Sequence, residues 1–353
     1  MKIMRRNSRE VKIGNIAIGG SQPIAVQSMC STRTDDVPST IAQINRMIKA
    51  GAEIIRVAVP DEKAANAITE IKANCPVPLV ADIHFSYRLA LMAADAGADK
   101  LRLNPGNIGD QSKIRKVVEK AKEKGLPIRI GVNQGSVERD LVDKYVGPRP
   151  QAMVESALRH VDILEKLDFH DIVLSLKAST AWDTIEAYRL TADKCDYPLH
   201  LGVTEAGPVF RGAIKSSVAL GVLLAEGIGD TLRVSLTGDV EDEIKAAWEI
   251  LRSLDIRRHG PDLVSCPTCG RTEIDLVSLV AKVEKALEGI GAPIKVAVMG
   301  CVVNGPGEAA DADIGVIGGR GHFLITCKGE KVRKVPEAEI EQAVLEEIGR
   351  YKK

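Results

Sequence analysis

An eight-unit βα barrel followed by a small α/β domain is the architecture this 353-residue sequence predicts, and three observations lead to it. Short runs rich in Val, Ile and Leu recur through the first 255 residues, each followed by a stretch of helical apolar period, as in a parallel sheet with helical crossovers. Eight such units fill that length, which suits a closed barrel better than an open doubly wound sheet with its fewer strands. The rhythm then breaks at Ser253-Leu254-Asp255-Ile256-Arg257-Arg258-His259-Gly260-Pro261, which reads as a linker, so the domains are expected at 1–255 and 256–353.

The predicted strands are 24–29, 54–59, 79–84, 100–104, 128–133, 172–179, 199–203 and 232–236. The predicted helices are 38–50, 61–74, 86–97, 111–124, 150–167, 180–193, 212–226 and 239–253. Pro38 before Ser39, Asp61 before Glu62, Ser86 and Asp239 supply helix-start signals, because a short polar side chain can accept the otherwise unpaired N–H groups of a first turn. Gly51, Gly97 and Gly125 supply left-handed stops. Beyond the linker the sequence predicts a cysteine turn, a helix at 272–289, strands at 294–298, 314–317 and 322–326, and a charged helix from about residue 337. Gly315-Val316-Ile317-Gly318-Gly319-Arg320-Gly321 lacks the Lys and Ser of a Walker loop and reads as a hairpin.

Composition narrows the function. The chain is 45% hydrophobic and 27% charged, enough to bury two cores. Lys+Arg and Asp+Glu both total 48, so no global field recruits nucleic acid or an anionic membrane, and any anion must be held locally. Aromatics at 3% argue against base-stacking surfaces. The start lacks a signal-type apolar run, no stretch is long enough to span a bilayer, and seven cysteines without regular spacing fit a reducing cytoplasm.

Four predicted strands embed an arginine between aliphatics: Ile55-Arg56-Val57, Leu101-Arg102-Leu103, Ile128-Arg129-Ile130 and Leu232-Arg233-Val234. Strand alternation turns these bases into the barrel, with Asn104, Gly131, Asn133 and Ser235 in phase with them. Buried guanidinium groups need anions. Asp82 is the obvious in-strand carboxylate, but one acid does not match four bases, which favours a multiply charged ligand such as a phosphate or diphosphate. His84, in phase with Asp82, is a candidate phosphate donor or acid, and Lys177 a further phosphate contact. At the seventh strand end, alternation turns Thr204 inward, but it lapses where the strand stops, so Glu205 is also a candidate acid or base. Cys30 follows the first strand closely enough to reach the mouth, whereas Cys75 and Cys195 read as packed thiols.

Near the end of the chain stand Cys266-Pro267-Thr268-Cys269 and Met299-Gly300-Cys301-Val302-Val303-Asn304-Gly305-Pro306-Gly307-Glu308. A C-x-x-C turn brings two thiolates to one centre, and no second pair follows as in a zinc ribbon. Three thiolates on glycine-rich turns suit an iron–sulfur cluster with one iron left for a weaker ligand. Structural zinc with Cys327 as fourth ligand, or a redox dithiol, is the alternative; Cys327 by itself reads as a packed thiol.

These segments, with Pro23-Ile24-Ala25-Val26-Gln27-Ser28-Met29, Ala81-Asp82-Ile83-His84-Phe85 and Arg102-Leu103-Asn104-Pro105-Gly106-Asn107, resemble the bacterial 4-hydroxy-3-methylbut-2-enyl diphosphate synthase family of the methylerythritol phosphate pathway, over nearly the whole chain. The resemblance implies a TIM barrel carrying the substrate site and a small domain carrying a 4Fe-4S cluster. It implies that Cys266, Cys269 and Cys301 ligate three irons and Glu308 the fourth. Arg56, Arg102, Asn104, Arg129, Asn133, Lys177, Arg233 and Ser235 are then expected around a cyclic diphosphate, with Glu205 as acid/base and ferredoxin or flavodoxin as electron donor. Removing a hydroxyl reductively requires two electrons that no side chain supplies, which agrees with a cluster. The rivals are a non-enzymatic sensor of a phosphorylated ligand and a sugar-phosphate barrel with a zinc appendage. The last barrel helix ends on the face opposite the strand C-termini, so the linker predicts a head-to-tail homodimer in which each second domain caps the partner's barrel, as the resemblance also implies.

Overall fold

In the computed structural model, which describes residues 3–147, 149–288 and 290–350, each apolar run of the first part becomes one strand of a parallel barrel. A hairpin of β1 (Val11–Ile13) and β2 (Ile16–Ile18) precedes it. The barrel strands are β3 (Ala25–Met29), β4 (Ile54–Ala58), β5 (Leu79–Asp82), β6 (Lys100–Arg102), β7 (Ile128–Asn133), β8 (Ile172–Lys177), β9 (His200–Leu201) and β10 (Thr231–Leu232). They run in the order β8-β7-β6-β5-β4-β3-β10-β9, and the parallel bridge between Leu174 and Leu199 joins the two ends. Outside them lie α1 (Val37–Lys49), α2 (Glu62–Ala73), α3 (Tyr87–Asp95), α4 (Gln111–Lys124), α5 (Arg139–Lys144), α6 (Pro150–Glu165), α7 (Ala181–Ala192), α8 (Val209–Ala225) and α9 (Val240–Ser253).

Local chemistry sets the boundaries. Asp61 Oδ1 accepts the Ala64 N–H at 2.9 Å to start α2, and Gly125, in the left-handed conformation, ends α4. α1 starts one residue earlier than expected because Asp36, not Pro38, is its cap, accepting the Ser39 N–H. The β1–β2 hairpin and α5 were not anticipated. The hairpin had a readable signal, since Val11-Lys12-Ile13 and Ile16-Ala17-Ile18 alternate about Gly14-Asn15, and Gly14 takes φ 55°.

That hairpin explains how the barrel interior changes character along its axis. Val11, Ile13 and Ile18 pack with Ala25, Ile54, Val80 and Val173, all nearly or wholly inaccessible, and close the floor with an apolar plug. Two residues further along the same inward faces come Arg56 after Ile54, Asp82 after Val80 and Ser175 after Val173. The floor beneath β4, β5 and β8 is therefore apolar and the strand C-termini charged, although Lys100, His200 and Thr231 are buried polar residues at the starts of β6, β9 and β10.

The chain divides into two compact units, Met1–Arg257 and Arg258–Lys353. The second contains β11 (Asp262–Ser265), α10 (Leu276–Leu287), β12 (Lys295–Met299), a single turn α11 (Gly305–Glu308), β13 (Ile314–Gly319), β14 (His322–Cys327), β15 (Glu330–Pro336) and α12 (Ile340–Arg350). Its sheet has the order β11-β12-β13-β14-β15, parallel from β11 to β13 and antiparallel beyond. Leu276, Leu279, Val283 and Leu287 of α10 and Ala343, Val344 and Ile348 of α12 bury their stripes with this sheet. The glycine-rich 315–321 segment is the β13–β14 hairpin, as expected. β11 and β15 were not foreseen; α10 begins four residues later than expected because Asp275 caps it through the Ser278 N–H at 3.1 Å. Among the described residues no helix is long and apolar enough to cross a membrane.

Candidate functional site

The charged end of the barrel opens into a cavity of about 160 Å³ lined by Arg56, Asp82, His84, Arg102, Arg129, Asn133, Ser175, Lys177, Val203, Thr204, Arg233 and Ser235. Two glycines make the room: a Cβ on Gly131 would stand 2.7 Å from Arg102 Nε, and one on Gly202 would stand 2.5 Å from Lys177 Nζ. The basic side chains fit only because these inward positions carry no side chain of their own.

Asp82 is buried and serves two of the arginines, with Arg102 Nη1 at 3.1 Å from Oδ1 and Arg56 Nε at 3.6 Å from Oδ2. Burial works to raise its pKa, but Arg56, His84 and Arg102 outweigh it and hold the carboxyl far below the ordinary carboxylate range. A second carboxylate, which the sequence reading missed, is Glu243 of α9, 3.2 Å from Arg233 Nη2. Helical periodicity placed it on the buried side of its helix, but an acid among the acidic residues of a first turn looks like an ordinary capping charge.

Two acids still leave the site strongly basic. Arg129 is 1% exposed; its Nη1 is 3.4 Å from Ser175 Oγ, while Nε and Nη2 have no partner among the described residues. Among the described residues Lys177 has no carboxylate within ion-pair distance. Arg56 directs Nε and Nη2 at Met29 Sδ, 2.9 and 2.7 Å away, a weak acceptor in place of a strong one. Burial and then the neighbouring guanidinium groups push Lys177 and Arg129 well below their ordinary pKa values, and Arg56 to about 10. Such unpaired donors converging on a cleft make an anion site.

Nine of the ten side chains expected at the substrate line this cavity; Asn104 does not. Its Oδ1 accepts the Gly131 N–H at 2.8 Å and its Nδ2 donates to the Gly131 carbonyl at 3.0 Å, so both ends of the amide clamp the β6 edge to β7. Ser175, Val203 and Thr204 are additional lining groups; Ser175 was legible as the residue two before Lys177 on one face. Thr204 is the inward residue at the β9 end, while Glu205 is exposed beside it on a left-handed backbone, φ 52°. Cys30 does not reach the mouth: it is buried beneath α1 with its sulfur 3.9 Å from Met47 Sδ, and burial pushes its thiol up to about 12.

In the second unit, Cys266 and Cys301 follow the C-terminal ends of β11 and β12, which are adjacent parallel strands paired through Ser265 and Val298. Cys266 Sγ accepts the Gly300 N–H at 3.2 Å, and Glu273 N–H donates to the Gly300 carbonyl at 3.0 Å, tying the C-x-x-C turn to the Cys301 loop. Cys269 is exposed, and hydrogen bonds from Arg271, backbone and side chain, hold its thiol below the ordinary value. Glu308 ends α11 and is exposed. Among the described residues no three Cys, His, Asp or Glu side chains converge on one metal position. The donor set nonetheless suits a soft cluster: three thiols and a carboxylate on the loops at one end of the sheet, one sulfur already accepting a backbone N–H. Cys327 is excluded from that set, because it pairs with Ile314 at the opposite end of β13, level with Val296.

Two family models match the chain, one described as the GcpE TIM-barrel domain over residues 8–248 and one as the GcpE protein C-terminal domain over residues 262–350. A relative from Maridesulfovibrio salexigens is 60% identical over 333 residues, covering 94% of this chain and 93% of the relative. Relatives from Geobacter sulfurreducens and Clostridium tetani are each 56% identical, covering 98% of this chain and 98% and 99% of themselves. All three carry the name 4-hydroxy-3-methylbut-2-en-1-yl diphosphate synthase (flavodoxin). Among solved structures, dihydropteroate synthase from Stenotrophomonas maltophilia superposes with a TM-score of 0.52 at 15% identity over 70% of this chain and 98% of its own, a likeness of barrel fold alone.

Proposed function

We propose that this chain, which belongs to the GcpE family, reductively opens 2-C-methyl-D-erythritol 2,4-cyclodiphosphate to 4-hydroxy-3-methylbut-2-enyl diphosphate, a step of isoprenoid precursor synthesis. The observation that carries this is near-full-length identity of 54–60% to relatives named as that synthase. The chemistry of the cavity agrees with it. The reaction consumes two electrons and a proton, breaks the ring carbon–oxygen bond to diphosphate, and releases a hydroxyl as water.

A cyclic diphosphate carries two negative charges, and Arg129 and Lys177 are two buried cations without a carboxylate of their own. In this reading they take the phosphates, Arg56 exchanges the Met29 sulfur for a phosphate oxygen, and the same groups neutralise the diphosphate as its ring bond breaks. Asp82 bridges Arg56 and Arg102 and offsets the repulsion between them, and His84 lines the mouth beside them. Asn133 and Ser235 add neutral donors, and Asn104 acts through the β6–β7 edge. Glu205 is the acid for the leaving hydroxyl: it follows the lining residue Thr204 on a turn that leaves its carboxyl unburied at the rim.

Cys266, Cys269, Cys301 and Glu308 would hold a 4Fe-4S cluster, with residues 258–353 as its domain, and a bound cluster would supply the two electrons. The names of the relatives favour flavodoxin over ferredoxin as the donor. We read the working form as a homodimer in which the cluster domain of one copy serves the barrel of the other, supported by the linker's departure from α9, whose C-terminal end lies away from the strand C-termini. The test is anaerobic reconstitution with iron and sulfide, then phosphorus NMR of the cyclodiphosphate with a strong reductant. Conversion of its resonances to those of a linear diphosphate is expected; an iron-loaded protein that binds the compound without converting it refutes the reading.

A further inference from the structure

Among the described residues Glu243 is the one carboxylate on the helix layer that reaches the polar wall of the cavity, and all of its hydrogen-bonding capacity is committed there. It is 4% exposed. Oε1 accepts the Leu236 N–H at 3.0 Å, Oε2 accepts the Ser28 hydroxyl at 2.9 Å, and Arg233 Nη2 lies 3.3 and 3.2 Å from the two oxygens. Its first-turn neighbour Glu241 does something different, pairing at the surface with Arg46. Leu236 adjoins Ser235, which lines the cavity, and Arg233 lines it directly. One side chain thus fixes the guanidinium of Arg233 just past β10, the segment that follows it, and the β3 strand next to β10 in the barrel.

We propose that Glu243 is a positioning residue for anion binding: by holding Arg233 and the Ser235–Leu236 turn at once, it sets the wall that receives a phosphate group. This rests on the diphosphate reading above. Two simpler roles make different forecasts. A carboxylate that only offsets charge would, when neutralised, leave the cavity more positive and raise its affinity for an anion. A carboxylate that only supports the fold would change stability and leave the affinity of the folded protein alone. Positioning predicts the reverse of the first, because an amide presents an NH₂ to Arg233 or gives up one of its two neutral donors, and the guanidinium turns away.

The experiment measures binding of the cyclic diphosphate and of inorganic pyrophosphate by calorimetry to the full chain, as wild type, E243Q, R233M and the double variant, with KM and kcat of the reconstituted enzyme. Expected is a loss of affinity of about tenfold in E243Q, a single charge-assisted hydrogen bond's worth, with KM moved more than kcat. The double variant should bind no more weakly than R233M, since Glu243 acts through Arg233. Equal or tighter binding by E243Q, or additive losses in the double variant, overturns the proposal. Should E243Q not fold, Glu243→Asp keeps the charge but withdraws it by one methylene: weaker binding supports positioning, and wild-type affinity overturns it. A wild-type protein that binds neither compound refutes the diphosphate reading itself, an outcome distinct from wild-type binding that E243Q leaves unchanged.

Discussion

Replacing Arg129 by Met should move stability and binding in opposite directions. The guanidinium is 1% exposed, and among the described residues its only hydrogen bond is the 3.4 Å contact to Ser175 and two of its nitrogens have no partner. Its nearest charges are mostly like ones, Arg56 and Arg102, with Asp82 already shared between those two. In the free protein the charge is therefore poorly solvated, and an apolar side chain of similar length should stabilise the fold. Replacing a whole buried ion pair by fitting apolar groups gains up to about 4 kcal/mol; here one charge without a carboxylate of its own is removed, so a gain of roughly 1 kcal/mol is expected after the bond lost at Ser175. With ligand present the sign reverses: a hydrogen bond between ionised partners contributes about 1.5–3 kcal/mol, so affinity for the cyclic diphosphate should fall roughly ten- to a hundredfold. Urea unfolding of the free protein followed by barrel-domain fluorescence or circular dichroism, alongside calorimetric titration, measures both. A variant that is less stable yet binds normally would refute the reasoning, because Arg129 would then be a structural cation.

Glu308→Cys should keep iron, seen in the visible absorption of the reconstituted protein, but lose turnover, since a fourth thiolate replaces the exchangeable carboxylate; sustained turnover would contradict that. Glu205→Gln should leave iron content and substrate affinity near wild type while slowing product formation, because the amide donates no acid proton at neutral pH; collapse of binding would make it a positioning group. For Lys177, burial and nearby guanidinium groups lower the pKa in the free barrel, and a bound dianion raises it. Affinity should hence be flat below the free value and fall by at most about tenfold per pH unit between the free and bound values, with proton uptake visible in buffers of different ionisation enthalpy, and Lys177→Met should flatten the profile. By the same shift the unliganded barrel gains stability as pH rises from the folded value towards that of the unfolded lysine. Mixing Glu205→Gln chains with Cys301→Ser chains should restore up to about a quarter of wild-type activity if sites are shared across a dimer, whereas no activity despite subunit exchange would reject sharing.

What the sequence determined by itself was everything governed by local period and short spacing. Inward parity of Arg56, Arg102, Arg129 and Arg233 follows from strand alternation, and β3 to β10 follow from apolar runs between helix caps and left-handed glycines. The cysteine turn and the Cys301 loop stood out in the sequence because soft ligands on tight turns have few structural uses, and the fold ties the two together through the Gly300 N–H on Cys266. Tertiary structure decided whatever depends on partners distant in the chain. Asn104 and Asn133 share the same strand logic, yet Gly131 takes both ends of the Asn104 amide while Asn133 faces the cavity. Thr204 rather than Glu205 turned inward once β9 had closed against β10, and Cys327 left the thiol group because β14 runs antiparallel to β13 and carries it to the far end of the sheet. Glu243 could not be singled out among three consecutive acids, since which of them is buried depends on how α9 lies over β3, and its partners Ser28 and Arg233 are 215 and 10 residues away. Hydrogen bonds and ion pairs act at contact distance, and only the closed barrel sets those distances.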